Sequence, residues 1–419
     1  MREMKDSNYG YLGIVPQSWK VDKIKYHLKA LGMRNPGNAQ VLSVYREYGV
    51  IPKDSRDDNH NVTSEDTSNY RYVRKGDFVI NKMKAWQGSM AVSQYTGIVS
   101  PAYYVYKFTD DALNRGYFHY LLRSKLYAAE FARISGGIRV GQWDLSAYNF
   151  ENTMLLIPPL GEQGKIATFL DSKCSEIDAI SADIQKEVET LEQYKRSVIT
   201  EAVTKGLNPD AEMKDSGVPW IGKMPANWTC IKGKYILKYM QKPVKPDDGV
   251  ITCFRDGEVT LRSNRREDGF TMADKEIGYQ GIDAGDLVVH GMDGFAGAIG
   301  ISDSRGKASP VLNVLDSRQN KKYIMYYLRS MAYGDVFAAL ATGIRVRSCD
   351  LRWNKLSELL YPVPPLEEQA EIVRYIEDTL NKANAVISEK KQQLEVLDSY
   401  KKSLIYEYVT GKKEVPVQN

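Results

Sequence analysis

The sequence predicts an α+β fold: two mixed α/β units separated by a pair of long antiparallel coiled-coil helices, with an internal pseudo-twofold duplication. Three observations predict it. Landmarks recur in one order 206 to 209 residues apart, each copy changes its hydrophobic pattern at a double proline, and a narrow apolar stripe follows that proline. A repeat this long indicates duplicated domains, because solenoid repeats recur every 20 to 50 residues or so.

The duplication covers nearly the whole chain. At an offset of 209, "KDSNYGYLGIVPQSW" (from Lys5) matches "KDSGVPWIGKMPANW" (from Lys214), and "KGDFVINKM" matches "AGDLVVHGM". At an offset of 206, "GGIRVGQWDLS" matches "TGIRVRSCDLR", and "QYKRSVITEAVTKG" matches "SYKKSLIYEYVTGK". One ordered set of landmarks is therefore used twice.

Each copy divides at its double proline. Before it, short runs such as "GDFVIN" and "AYYVYKF" predict strands, and "GYFHYLLRSKLYAAEFARI" predicts a helix between turns. After it, the pattern predicts one long helix, with Pro158 and Pro159 at the first entrance and Gly206 and Pro209 at its end. The predicted boundaries are 1–160 and 208–366 for the mixed units, 161–207 and 367–413 for the helices, and 414–419 for a tail.

Apolar residues at alternating spacings of three and four give each long helix a stripe suited to a coiled-coil seam. The predicted pairing residues are Ile177, Ile180, Ile184, Val188, Leu191, Tyr194, Val198, Val386, Leu394, Leu397, Tyr400 and Leu404. Because both helices belong to one chain and follow equivalent units, we expect them to pack against each other, antiparallel. The alternative is that each helix packs separately on its own unit.

Composition narrows the class of protein. Hydrophobic residues make up 43% and charged residues 26%, and the apolar runs are short, which predicts a cytoplasmic protein with no membrane partner. The four cysteines are scattered without a CxxC pair, which argues against a disulfide framework or a zinc site. Net charge alternates as +6, −5, +5 and −2 over residues 1–160, 161–212, 213–360 and 361–419. Two basic blocks indicate two units that meet a polyanion, although chance variation on solvated faces would give a similar pattern.

Catalytic motifs are missing from the sequence. There is no GxxxxGK[ST] phosphate loop, no HExxH or GxSxG motif, and no Asn-Pro-Pro-aromatic tetrapeptide of adenine methyltransferases. The glycines of "GMDGFAGAIG" fit a tight turn beside a strand better than a nucleotide-binding loop. We therefore expect a protein that is not an enzyme and has no metal site and no cofactor of its own.

Two separated basic units suit a ligand with two recognition points, and duplex DNA is one. Arg, Lys, Asn and Gln reach base edges, and Lys and Arg contact phosphates. The DNA-binding candidates are Asn81, Lys82, Lys84, Trp86, Gln87, Arg139, Arg255, Arg262, Asn264, Arg265, Arg266, Arg345 and Arg347. Pairing with Asp144 or Asp350 would make Arg139 and Arg345 structural instead, and the second-unit arginines also fit a solvated charged face. Residues 45–70 and 249–274 scarcely resemble each other, so the two units would read different half-sites.

The "KDSGVPWIGKMPANW" entrance, the "IPPLGEQ" and "VPPLEEQ" helix starts and the "YKRSVITEAVTKG" ending closely resemble the specificity subunits of type I restriction-modification systems. The resemblance implies two target recognition domains, each reading half of a split DNA sequence, and two helices that set the spacing of the half-sites. It implies a non-catalytic subunit that recruits two modification subunits, which bind S-adenosylmethionine and methylate adenine, and two restriction subunits. Individual base contacts do not follow from the resemblance. The alternative function is a coiled-coil scaffold that joins two protein-binding domains.

Overall fold

The computed structural model of the chain describes residues 2–37, 39–46, 48–56, 63–137, 143–265, 277–340 and 351–416. It divides into two compact units. The first comprises Met1–Ile184 and Gln392–Asn419, and the second comprises Gln185–Lys391. Each unit therefore contains one half of each long helix.

The first unit is a mixed α/β structure of short strands and helices. Its strands are β1 (Met4–Asp6), β2 (Ile14–Pro16), β3 (Lys20–Lys23), β4 (Leu28–Ala30), β5 (Leu42–Tyr45), β6 (Gly49–Pro52), β7 (Arg71–Val73), β8 (Phe78–Asn81), β9 (Met90–Val92), β10 (Gly97–Val99), β11 (Tyr103–Phe108) and β12 (Met154–Ile157). Its helices are α1 (Arg115–Arg123), α2 (Lys125–Ile134), α3 (Ala147–Glu151) and the start of α4 (Leu160–Lys205), with 3-10 turns at Ile24–Tyr26, Lys53–Ser55 and Ala85–Gln87.

A four-stranded antiparallel sheet in the order β4-β11-β8-β9 forms the centre of this unit. Strand pairs β1-β2, β3-β12, β5-β6 and β7-β10 surround it. The predicted helix over "GYFHYLLRSKLYAAEFARI" is present as two helices, α1 and α2, which divide at Ser124. One face of the sheet packs with α1, Trp19 and Phe150 into an aromatic-rich core, and the other face carries a smaller aliphatic cluster. Aromatic side chains bury large areas in such cores, which is how strands this short are held together.

The second unit repeats this plan. Its strands are β13 (Met213–Asp215), β14 (Lys223–Pro225), β15 (Thr229–Lys232), β16 (Leu237–Met240), β17 (Ile251–Cys253), β18 (Val259–Leu261), β19 (Gln280–Ile282), β20 (Leu287–His290), β21 (Ile299–Ile301), β22 (Gly306–Ala308), β23 (Leu312–Ser317) and β24 (Leu360–Val363). Its helices are α5 (Gly233–Ile236), α6 (Lys321–Tyr333), α7 (Val336–Ala339), α8 (Trp353–Leu356) and the start of α9 (Leu366–Val409), with 3-10 turns at Arg262–Asn264 and Gly294–Ala296.

The strand pairing of the second unit is that of the first. The central sheet runs β16-β23-β20-β21, and the flanking pairs are β13-β14, β15-β24, β17-β18 and β19-β22. Even the register is kept, since Tyr103 pairs with Asn81 in the first unit and Leu312 pairs with His290, 209 residues later, in the second. The duplication seen in the sequence is therefore a duplication of fold.

The two long helices run antiparallel within each unit. In the first unit the rings of Phe169 on α4 and Tyr408 on α9 lie 4.6 Å apart, and Lys401 Nζ lies 2.6 Å from Asp178 Oδ1. In the second unit Lys390 Nζ lies 2.5 Å from Glu187 Oε2. Moving forward along α4 means moving backward along α9, so the antiparallel pairing expected from the apolar stripes is present.

The repeated helix-opening phrase has a structural explanation in a buried glutamine. Gln163 is fully buried, donates from Nε2 to the carbonyls of Ala112 and Pro158 (both 2.8 Å), and accepts from the Asn114 amide at Oε1 (2.8 Å). Its side chain thereby ties the start of α4 to the segment that enters α1.

The same glutamine recurs in the second unit. Gln369, 206 residues later and equally buried, donates to the Pro364 carbonyl at 2.8 Å and accepts from the Asn320 amide at 2.9 Å. Buried polar side chains remain buried only when they are hydrogen-bonded, so the two copies keep the same residue for these two equivalent contacts, and Gln369 makes its third to Gln319 Oε1 at 2.7 Å.

A buried tryptophan forms the neighbouring anchor. Trp19 donates from its indole Nε1 to Glu162 (3.1 Å), and Trp228 donates to Glu368 (2.9 Å). Beside each tryptophan lies the glycine that follows the end of a long helix, Gly411 in the first unit and Gly206 in the second, with φ of 70° and 74°. A side chain there would be strained by the left-handed backbone and would meet the indole or a proline.

The predicted fold class is confirmed: two α+β units of one topology and a pair of long antiparallel helices. In the part of the chain that the structure describes, no helix is both long enough and apolar enough to cross a membrane.

Candidate nucleic-acid interface

Each central sheet carries an exposed turn between its last two strands. In the first unit it spans 82–88 and in the second 291–297, and each contains a 3-10 turn ended by a left-handed glycine, Gly88 (φ 82°) or Gly297 (φ 97°). We call these the first and second sheet turns. Both project a methionine, Met83 or Met292, which are 50% and 57% exposed. The first sheet turn is the segment that the sequence predicts to contact DNA.

The first sheet turn uses several of its predicted residues to hold its own shape. Asn81 Oδ1 accepts from the Met83 amide at 3.2 Å, so this side chain closes the turn. Trp86 donates from Nε1 to the Met83 carbonyl at 3.1 Å and packs edge-on against Trp143, with ring centroids 5.0 Å apart. Both residues therefore support the turn.

The remaining predicted residues of this turn lie at the surface. Lys82 Nζ lies 3.4 Å from Asp144 Oδ2, which is the carboxylate considered as a partner for Arg139. Lys84 is exposed and Gln87 is half-buried. Lys84 and Gln87 are thus the side chains of this turn best placed to reach a ligand in solvent.

The second sheet turn is closed in the same way by a histidine. His290 occupies the position of Asn81, and its Nδ1 accepts from the amides of Met292 (3.2 Å) and Asp293 (2.9 Å). Accepting requires Nδ1 without a proton, and burial of the ring lowers the His290 pKa below its usual value, which keeps the imidazole neutral at pH 7. The two turns thus share one geometry made with different side chains.

Neighbouring acids and hydroxyls contact the three predicted arginines of the second unit that the structure describes, Arg255, Arg262 and Arg265. Arg265 contacts Asp256 (2.6 Å) and Glu258 (2.9 Å), and its guanidinium lies over the Phe254 ring. The hydrogen bond from Arg265 lowers the Asp256 pKa, so this pair stays charged. Arg255 contacts Asp293 at 2.9 Å while its side chain remains 65% exposed, which connects the β17-β18 hairpin to the second sheet turn.

Two further candidates of this hairpin contact threonines. Arg262 donates from Nε to Thr252 (3.1 Å), and Asn264 donates from Nδ2 to Thr260 (2.9 Å). Arg139, Arg266, Arg345 and Arg347 lie outside the described residues. The structure therefore brings Arg255 into contact with the second sheet turn, and the Arg255 side chain remains largely exposed there.

An arginine that the sequence interpretation missed holds the hairpin in each unit. Arg123 on α1 donates from Nη2 to the carbonyl of Arg46, at the β5-β6 turn. Arg329 on α6, 206 residues later, donates from Nη2 to the carbonyl of Asp256 at 2.6 Å, at the β17-β18 turn. These hairpins lie in the segments where the two copies differ most. The repeated "LRS" at 122–124 and 328–330 was the sequence signal for these residues.

A buried histidine lies beside the first of these arginines. His119 Nε2 lies 3.3 Å from Arg123 Nη1, and burial together with the Arg123 charge lowers the His119 pKa to about 3. The neutral ring accepts a hydrogen bond from Arg123 Nη1 at Nε2. The Arg123 side chain is therefore fixed between an imidazole and a backbone carbonyl. The equivalent position in the second unit holds buried Met325.

The predicted helix-pairing residues divide into three groups by exposure. Five are buried: Ile177, Ile184, Val188, Val198 and Leu404. Three are half-buried: Leu191, Leu394 and Leu397. Four are exposed, at 41% to 54%: Ile180, Tyr194, Val386 and Tyr400.

The exposed group shows where the assumed spacing was inexact. Ile387 is only 5% exposed, whereas its neighbour Val386, which the spacing selected, faces solvent. Adjacent helical residues point about 100° apart, and a stripe with a period near 3.5 residues drifts around a helix of 3.6 residues per turn. Ile180, Tyr194, Val386 and Tyr400 are therefore surface residues of the helices.

In the described ranges, no group of three His, Cys, Asp or Glu side chains is placed so that it could hold a metal ion. Cys174, Cys230 and Cys253 are free thiols. Burial raises the pKa of the Cys253 thiol to about 12, so it stays protonated.

Comparison with known proteins shows what this chain resembles. A family model for the type I restriction modification DNA specificity domain matches residues 19–190. The chain is 22% identical over 438 residues to the putative type I restriction enzyme MjaX specificity subunit of Methanocaldococcus jannaschii, covering 96% of each protein. It is 20% identical over 307 residues to the type I restriction enzyme StySPI specificity subunit of Salmonella potsdam, covering 71% of this chain and 65% of that protein.

The fold is also that of a solved relative. A chain from a structure describing complex assembly and conformational transition of the type I R-M system matches with a TM-score of 0.68 at 13% identity, covering 95% of this chain and 99% of that one. The structural match establishes a shared fold. The family model and the curated relatives show that the chain is similar in sequence to type I restriction enzyme specificity subunits.

Proposed function

We propose that this chain recognises a bipartite DNA sequence as the specificity subunit of a type I restriction-modification complex. The observation that carries the proposal is a duplicated scaffold with divergent surfaces. The two units share every strand pairing, while the hairpins held by Arg123 and Arg329 and the two sheet turns differ in sequence. Two units of one fold with different exposed residues are suited to reading two different half-sites.

The base-reading residues are those that keep an exposed polar end on these elements. Lys84 and Gln87 serve the first half-site and Arg255 serves the second, since Arg and Lys bind guanine edges and Gln binds adenine in the major groove. The remaining candidates support these elements or contact phosphates. Residues 1–160 and 208–366 then act as target recognition domains, and 161–207 and 367–413 act as the spacer helices.

The chain carries the recognition function, and catalysis belongs to its partners. Two modification subunits, which bind S-adenosylmethionine and methylate adenine, and two restriction subunits assemble with it in the cytoplasm. The chain itself needs no cofactor for this role, because DNA recognition depends on hydrogen bonds and charge alone. The paired helices fix the spacing of the two half-sites.

Binding selection with the modification partner tests the proposal. The assembled complex is mixed with random-sequence duplex DNA, and bound DNA is separated by gel shift and sequenced. We expect two short defined sequences with a fixed gap. A scaffold that joins two protein-binding domains would enrich no such sequence, and that result would refute the proposed function.

A further inference from the structure

Both units carry one short motif of three lysines and a tyrosine, in which every lysine except half-buried Lys23 is exposed. It reads Lys-x-Lys-Tyr-x-x-Lys and occupies 23–29 ("KIKYHLK") in the first unit and 232–238 ("KGKYILK") in the second, 209 residues apart. We call these the first and second lysine motifs. Each connects the first strand of a pair, β3 or β15, to the edge strand of the central sheet, β4 or β16.

Identity within the motif is not confined to the buried positions. Leu28 and Leu237 are buried and identical, whereas buried Ile24 and His27 are replaced by Gly233 and half-buried Ile236. The tyrosine is identical and strongly exposed, at 59% for Tyr26 and 74% for Tyr235. Packing constrains buried residues most, so identity at the exposed positions indicates a shared surface function.

The geometry of the first lysine motif is specific. Lys25 Nζ lies 5.5 Å from the centroid of the Tyr26 ring and donates to Asn152 Oδ1 at 3.0 Å. Lys29 is exposed on β4. The nearby carboxylates Asp22 and Asp110 contact His27, which lies between them.

The second lysine motif reproduces this arrangement. Lys234 Nζ lies 5.5 Å from the Tyr235 ring centroid and 2.9 Å from Glu358, which occupies the position of Asn152. Glu358 also contacts Lys232 at 2.7 Å, and its hydrogen bond to Lys234 raises the Lys234 pKa. Lys238 is exposed on β16, so the motif carries three lysines while Glu358 pairs with two of them.

We propose that each lysine motif binds phosphates of the DNA backbone, giving the two units one sequence-independent contact apiece. This inference rests on the proposed function. Two units that read different bases still contact chemically identical phosphates. This explains why the lysines and the tyrosine of the motif are the same in both units while the hairpins differ. Lys and Tyr side chains are standard phosphate donors, whereas lysine is depleted from protein–protein interfaces. These features favour nucleic acid over an acidic partner surface.

Salt dependence of DNA binding tests the proposal. The variants are Lys25→Ala/Lys29→Ala and Lys234→Ala/Lys238→Ala, assembled with the modification subunits. Affinity for the selected sequence and for a scrambled duplex is measured between roughly 50 and 200 mM salt. Over this range the affinity falls steeply with salt, in proportion to the number of phosphate contacts. Each pair should lower the slope of log affinity against log salt by about 1.8, because each lost phosphate contact removes about 0.9. The loss should be the same on both duplexes.

Lys20→Ala provides the matched control. Lys20 is an exposed lysine on β3 with Thr229 as its counterpart, so its replacement removes one positive charge outside the motif, half of that removed by each double variant. Its slope should stay close to that of the unmodified chain. A slope change in the double variants no larger than that of the control would overturn the proposal.

Other outcomes separate this inference from the proposed function. Failure of the double variants to assemble with modification subunits without DNA would make the motif a protein-docking surface and refute phosphate binding. An altered consensus would make these residues base readers and also refute it. If the unmodified complex selects no bipartite sequence yet the slopes still fall as predicted, the half-site model fails and phosphate binding stands.

Discussion

Replacing Gln163 with leucine tests whether the repeated helix-opening phrase stabilises each unit through its buried glutamine. Leucine is similar in volume and leaves three backbone groups without the partners they have in the native unit: the carbonyls of Ala112 and Pro158 and the amide of Asn114. The Pro158 carbonyl bond is buried, and the other two bonds are partly buried. A buried orphaned group costs about 1–3 kcal/mol, and a lost bond at a site that water reaches costs about 0.5–1.5 kcal/mol.

These contributions sum to roughly 2–6 kcal/mol, with a midpoint of about 4 kcal/mol, in the free energy of unfolding of the first unit. For a unit of about 200 residues, 1 kcal/mol shifts Tm by roughly 2–4 °C, so the first unit should melt about 10 °C lower. Differential scanning calorimetry is the assay, because it resolves a shift of one unit from a shift of both. Gln369→Leu should lower the second unit by a similar amount.

Gln193→Leu is the control, since Gln193 is exposed on α4 and the same chemical change there should move Tm by less than about 2 °C. A loss below roughly 1 kcal/mol for Gln163→Leu would contradict the argument. It would mean that the start of α4 relaxes and returns its polar groups to water, and that packing alone positions this helix.

Three further predictions follow from the described contacts. Arg123→Ala should weaken discrimination at the first half-site by about tenfold, and Arg329→Ala at the second, since each removes the side chain that positions one hairpin. Binding selection with each variant measures the discrimination at each half-site. Lysine at either position should restore part of the lost discrimination, and an unchanged consensus would refute the positioning role of the arginines. The buried His119 stays neutral in the folded unit down to pH of about 3, whereas the unfolded histidine takes up a proton below about 6.5. Stability should therefore fall as pH decreases through that window, by about 2 kcal/mol at pH 5, and His119→Met should remove this dependence in urea unfolding. Deleting seven residues from each long helix removes about 10 Å of helix and should change the gap between half-sites, so an unchanged gap in binding selection would exclude the spacer role.

The features that the sequence predicted well are those that depend on short-range sequence signals, such as glycine and proline at the ends of helices. Glycines at 206 and 411 adopt left-handed backbone where the long helices end, and the double prolines stand just before their first turns. Those signals depend on the neighbouring few residues and not on the rest of the fold. The duplication was equally visible, because a repeated order of landmarks needs no knowledge of contacts.

The features that the sequence could not predict depend on contacts between distant segments. Arg265 looked like a DNA-binding cation, and only the folded hairpin shows that Asp256 and Glu258 surround it. The sequence gives no sign that Gln163 is buried, and only its contacts with the segment that enters α1 show it. A polar residue carries no sequence signal of its eventual partner, which is why site residues were less predictable than elements.

Comparison of the two copies supplies a distinction that one copy alone would not. Positions that are buried and identical, such as Trp19 with Trp228 and Gln163 with Gln369, report what the scaffold requires. Exposed positions that differ, as in the hairpins, report what each unit reads separately. The lysines and the tyrosine of the lysine motifs belong to neither class, since they are identical in both copies and, apart from half-buried Lys23, exposed. A contact that both units make with the same chemical group explains that combination, and the repeating phosphates of a duplex are such a group.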